Sequence, residues 1–106
     1  MLLKRRAVRL ALRELANGAD DARGIANRLK EAGVKGGHRP ENCPVACYLR
    51  QKTGLKVKVF PNTVTNDWIT KIPVRTPGTI SAFIRLYDNG YYRELEGYPN
   101  PWTRES

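Results

Sequence analysis

At Gly54 the hydrophobic period of the chain changes, and that change constrains the fold more than any other feature. Before it, apolar residues recur at helical spacing in three stretches. After it, Leu55, Val57 and Val59 alternate with Lys56, Lys58 and Phe60, the period of two of a half-buried strand with a lysine face. A chain of 106 residues has room for one core, so helices and strands must share it. The expectation is an α+β fold.

The first helix is read over Leu2 to Ala16, which has no Gly or Pro and is rich in Leu, Ala and Arg, all good helix formers. Arg5, Arg6, Arg9 and Arg13 fall within about 100° of arc on its wheel, a single basic stripe. Asn17-Gly18-Ala19-Asp20 then gives a stop and an N-cap, and Ala22, Ile25, Ala26 and Leu29 define a second helix from about Asp21 to Ala32. Gly33 ends it. Val34 to Pro40, with paired glycines and the basic Lys35 and Arg39, reads as a flexible connection. Pro44 at a first helical position, with Cys43 or Asn42 as cap, opens a third helix that runs to Gly54.

Beyond the lysine strand, Pro61-Asn62 interrupts and Asn66-Asp67 marks a turn. Trp68 to Ile72 is β-branched and aromatic, the natural second strand of a hairpin. Thr76-Pro77 reads as cap and first position of a fourth helix with Ile80, Phe83, Ile84 and Tyr87 inside, ended by Asp88-Asn89-Gly90. Tyr91 to Leu95 fits one more turn. Residues 1–97 thus form a single basic α+β domain and 98–106 a proline-rich tail. Three helices, a β-hairpin and a further helix is a winged-helix-like order. One departure is that Gly33 to Asn42 spans about ten residues, where a helix-turn-helix joins its helices through 3–4.

The charge is segregated. Of a formal net +9, residues 1–60 carry 14 basic and 5 acidic side chains, while residues 61–106 carry 5 of each. A basic half beside a neutral one implies a localised cationic surface, whose natural partner is nucleic acid, with duplex DNA the first expectation. In a winged-helix arrangement Tyr48, Arg50, Gln51 and Lys52 of the third helix face the major groove, where Arg and Gln match base edges. Lys56, Lys58 and Lys71 of the hairpin hold phosphates, Arg5, Arg9 and Arg13 add a third contact, and Lys35 and Arg39 join from the basic connection. The alternative is a protein-interaction module acting on a host protein through the hairpin aromatics Phe60 and Trp68.

Other chemistries find little support. Cys43, Cys47 and His38 make three zinc ligands without a fourth, so no metal or other cofactor is expected. Cys43, at a helix N-terminus that favours a thiolate, is the best candidate for a reactive group, while the first expectation for both Cys43 and Cys47 is a small buried hydrophobe. A Cys/His hydrolase would also need an orienting partner, and the carboxylates show no paired arrangement, so the chain is read as non-enzymatic. Mean hydropathy is −0.55 and no apolar run approaches the roughly 20 residues of a membrane span. No membrane partner is expected, and two cysteines without a disulfide framework suit a reducing cytoplasm.

The stretch Glu41-Asn42-Cys43-Pro44-Val45-Ala46-Cys47-Tyr48-Leu49, then Gly54-Leu55-Lys56-Val57, then Ile80 through Tyr92, resembles small uncharacterised proteins of actinobacteria and their bacteriophages. In those proteins an N-C-P-hydrophobe-A-x-Y-L helix precedes a strand pair and a helix ending in aspartate, a small residue and glycine. The resemblance spans about residues 20 to 95 and implies a bacterial cytoplasmic or phage-encoded setting, with no particular activity. Cys47 stands where that pattern has a variable, often basic residue, so the resemblance implies no pairing with Cys43.

Overall fold

Four helices and a small antiparallel sheet follow one another in the order read from the sequence. The computed structural model describes residues 2–65 and 74–97, with side chains from Arg5 onward. Helix α1 (Leu2–Ala16) buries Val8, Ala11, Leu12 and Leu15 along one side and leaves Leu10 half exposed on the other. Helix α2 (Ala22–Glu31) starts at Asp21, whose Oδ1 accepts the Gly24 N–H at 2.9 Å, one of the orphan donors of a first turn. Helix α3 (Pro44–Thr53) has Cys43 as cap residue and Pro44 in its first turn, and closes on Gly54 in the left-handed conformation at φ 75°. Helix α4 (Gly78–Asp88) carries Ile80, Phe83, Ile84 and Tyr87 inward, and a short 3-10 turn, Arg93–Leu95, follows.

Strands β1 (Lys58–Val59), β2 (Thr63–Thr65) and β3 (Val74–Arg75) lie side by side in sequence order. Val59 pairs with Val64 and Val64 with Val74, so one buried valine per strand forms a row against the helices. The alternation in the sequence is realised: Val57 and Val59 are buried, while Lys56, Lys58 and Phe60 are exposed. The hairpin partner differs from the one expected. Phe60 N–H bonds Thr63 O at 2.8 Å, and Thr63 N–H returns to Phe60 O at 3.3 Å, so Pro61-Asn62 is the turn itself and not a break before a longer loop. Proline at the second position of a turn has its φ already set and gives up no ladder hydrogen bond there. Trp68 to Ile72 fall outside the described residues.

Helix α4 also begins one residue later than its sequence suggests. Pro77 is the cap residue, and Thr76 turns back to the hairpin, its hydroxyl donating to Pro61 O at 2.7 Å. Helix α2 packs chiefly on α4, α3 on α1, and α1 also meets β3. One apolar cluster draws on every helix and strand, with Leu95 of the 3-10 turn beneath it.

The connection from Val34 to Asn42 is fixed in place, contrary to the flexible loop expected from its glycines and charge. Gly36 N–H bonds Leu95 O at 2.8 Å, Gly97 N–H bonds Gly36 O at 3.3 Å, and the Tyr87 hydroxyl donates to the same carbonyl at 3.1 Å. Gly37 N–H reaches Asn42 O at 2.7 Å and Val59 N–H reaches Pro40 O at 2.8 Å. Glycine is required for contact here rather than for mobility: a Cβ on Gly36 would stand 2.5 Å from Pro44 N.

Candidate nucleic-acid interface

The arginine stripe of α1 does not project into open solvent along its whole length. Leu12 of the buried face and the partly buried Ala16 adjoin the stripe, and β3 packs against α1. The result is a recess of about 510 Å³ between α1 and the start of α4, lined by Arg5, Arg9 and Arg13 on the helix side and by Arg75, Thr76 and Pro77 on the sheet side. Leu12 and Ala16 form the apolar part of its surface. Among the described residues no carboxylate lines it, and Arg9, Arg13 and Arg75 make no ion pair.

Unpaired arginines at this density are tolerable because neighbours one helical turn apart, about 6 Å along the axis, repel by less than about 1 kcal/mol in water. An anion bridging two of them replaces that repulsion with two charge-assisted hydrogen bonds. The Thr76 hydroxyl is committed to Pro61 and holds the β2–β3 side against the hairpin turn. The sheet wall of the recess is therefore set by the fold.

Of the cationic residues expected to meet nucleic acid, Arg5, Arg9 and Arg13 are brought together, and Arg75 joins them from the neutral half of the chain. Sequence reasoning missed Arg75, because only the antiparallel pairing of Thr63 with Arg75 carries it beside α1. Arg50, Gln51 and Lys52 are exposed on the last turns of α3, and Lys56 and Lys58 are exposed around β1. Tyr48 is removed from the set: it is 96% buried, against α1 and α2, with the Lys52 ammonium 5.7 Å from its ring. Its place in the inner arc of α3, one position before Leu49, makes it core. Arg39 stands 3.8 Å from Glu41, and the Lys35 stem lies along Gly97. Lys71 and Trp68 lie outside the described residues. Phe60 is 39% exposed and sits with His38, Arg39 and Asp88 at the edge of a cavity of about 70 Å³.

The thiols do not act as the helix-terminus argument suggested. Burial is the largest effect on Cys43 and pushes its pKa up to about 12, although the N–H groups of Ala46 and Val45 favour the thiolate. Desolvation wins because Cys43 is buried in the apolar core. Cys47 shifts the same way and donates its thiol hydrogen to Asn42 O at 3.4 Å. His38 lines the same small cavity as Cys43 but is engaged by other groups, with Nε2 2.7 Å from Glu96 Oε2 and its ring stacked 4.5 Å from that of Tyr87. Among the described residues no group of His, Cys, Asp and Glu converges as a metal site, and no helix is long and apolar enough to cross a membrane.

Compared with protein-family models, curated proteins and solved structures, the chain matches none of them.

Proposed function

We propose that this protein is a small, non-enzymatic nucleic-acid-binding protein of the cytoplasm, DNA being its expected partner, and that the recess between α1 and β3 is its anchoring site. The observation that carries this reading is the convergence of Arg5, Arg9, Arg13 and Arg75 on one recess, with no carboxylate among the described residues that line it. Arginine forks match phosphate oxygens two at a time, and a cluster of like charge attracts a polyanion from a distance. The exposed Arg50, Lys52, Lys56 and Lys58 extend the positive surface without forming the recess.

The test is fluorescence anisotropy of a labelled DNA oligonucleotide titrated with protein across a salt series. Binding at low salt is expected, weakening steeply as salt rises, since each phosphate contact contributes a slope of about −0.7 to −0.9 in log K against log salt. Arg9→Gln with Arg13→Gln should weaken binding about tenfold or more and flatten the slope by nearly two such contacts. Arg93→Gln, on the exposed 3-10 turn, should leave binding unchanged. No anisotropy change at low salt up to tens of micromolar protein would rule the reading out. A partner captured from lysate that survives nuclease, and is lost in Phe60→Ala, would favour the protein-interaction alternative.

A further inference from the structure

Resting on the nucleic-acid reading, we infer that the binding surface continues from the recess across the outward face of the sheet, so that a phosphate backbone passes from α1 over Arg75 and Thr63 to Lys58, and that α3 is not the element that grips it. Arg75 joins the two parts. It lines the recess with Arg9 and Arg13 of α1, and it is also a strand residue, paired with Thr63. The recess therefore opens onto the side of the sheet to which Arg75 points.

The register says which side that is. Val59, Val64 and Val74 form the buried row. Side chains alternate along a strand, so the residues flanking that row point the other way. On its turn side stand Phe60, Thr63 and Arg75, with Phe60 joined to Thr63 by backbone hydrogen bonds and Thr63 paired with Arg75. On its other side Lys58 is paired with Thr65. Burial agrees, since Lys58, Phe60 and Arg75 are exposed and Thr63 is half-buried. Neighbouring strands lie about 4.8 Å apart, and residues two apart on a strand about 7 Å, which sets the Lys58 and Arg75 α-carbons about 12 Å from each other with Thr63 between them. About three or four nucleotides of a duplex strand cover that length along the axis, at about 3.4 Å each.

The charge on this face suits a polyanion. The three strands contain no acidic residue, and among the described residues Lys58 and Arg75 make no ion pair. The flexible lysine stem and the arginine fork let both charges meet one backbone lying over Thr63. Arg50 and Lys52 are exposed as well, but they stand on α3, which packs chiefly on α1, and no strand pairing ties them to Arg75. A lysine on an edge strand also discourages pairing with a second sheet. That role involves no ligand, and it predicts unchanged binding when the lysine is lost.

The experiment places the same charge changes at two sites and titrates a labelled DNA duplex with the full chain across a salt series. Thr63→Lys and Thr63→Glu act on the sheet face, Gln51→Lys and Gln51→Glu on the exposed side of α3, and circular dichroism melts check that each variant keeps the wild-type fold. Thr63→Lys is expected to tighten binding about threefold or more and Thr63→Glu to weaken it about tenfold, while both Gln51 variants stay within about twofold of wild type. Lys58→Gln should weaken binding about threefold and lower the salt slope by about 0.9, one phosphate contact. If Thr63→Glu fails to fold, Thr63→Lys and Lys58→Gln decide, because tighter binding cannot come from a damaged fold. Equal shifts at Thr63 and Gln51 overturn the inference and leave the nucleic-acid reading standing. So does a binding curve indifferent to Lys58→Gln while Arg9→Gln with Arg13→Gln weakens it. Failure of the wild-type chain to bind removes both.

Discussion

Gly36 shows how one residue can fix a region that its sequence neighbours suggest is loose. Its N–H and C=O join the Arg93–Leu95 turn in a parallel bridge with Glu96, its carbonyl also accepts the Tyr87 hydroxyl, and its α-carbon faces the start of α3. A methyl group there would meet backbone atoms of Pro44, Asn42 and Cys43 at 2.5–2.7 Å, and backbone cannot rotate aside as a side chain can. Gly36→Ala is expected to destabilise the protein by about 3 kcal/mol, the upper end of overpacking costs, read as a lower urea midpoint. Gly33→Ala makes a useful comparison, because its cost comes from a φ of 74° with nothing within 4 Å of the added carbon. Paired glycines in a basic segment signal mobility in a sequence, and the same glycines signal close approach once Pro44 and Leu95 are seen beside them. Cys43 was open to two readings in the sequence, a reactive thiol at a helix terminus and a small buried side chain, and packing realises the second.

At the level of elements, the helices were readable because their ends are written locally. An aspartate before the Ala22–Glu31 pattern, Asp21 in place of the expected Asp20, Pro44 in the first turn of α3, and Gly54 and Gly90 after two helices each act within a turn of their own position. Asp21→Ala should therefore cost about 1 kcal/mol, the usual value of a lost cap, and a Tm change near zero would show that the Gly24 N–H finds another acceptor. Strands are less local. Val57 and Val59 declare their buried side by alternation, yet nothing in that alternation says whether Thr63–Thr65 or Trp68–Ile72 pairs with them. The Phe60–Thr63 hydrogen bonds across Pro61-Asn62 decide it, and they exist because Thr76 and Asn62 tie the turn to the start of α4. Tyr48 was misplaced for a similar reason: α3 has charged residues on either side of its buried arc, and only the packing of α1 and α2 against it shows where that arc stops.

Across the whole molecule, burial of titratable groups predicts how stability responds to alkali. The Cys43 thiol is held up to about 12 from an ordinary value of 9.0, and Cys47, Tyr48 and Tyr87 are raised as well, each chiefly by desolvation. Above pH 9 the unfolded chain loses protons that the folded chain keeps, so stability falls as pH rises through the interval up to about 12. Urea unfolding from pH 9 upward should show a loss on the order of 1 kcal/mol per pH unit. A shallower slope is expected in Cys43→Ala, whatever its absolute stability; an unchanged slope would mean that the thiol is ionised in the folded state. The charge surplus of the first 60 residues was plain in the sequence, because composition and helical period are properties of the chain itself, and so were the order of elements and most of the core. Which cations lie together is decided only in three dimensions. Arg75, from the neutral half, completes the recess with Arg5, Arg9 and Arg13, while Arg39 stands beside Glu41 and the α3 cations lie outside it. Helical spacing orders charges along one element, whereas a recess needs two walls, and the second wall comes from a strand more than 60 residues away whose position follows from pairing and packing.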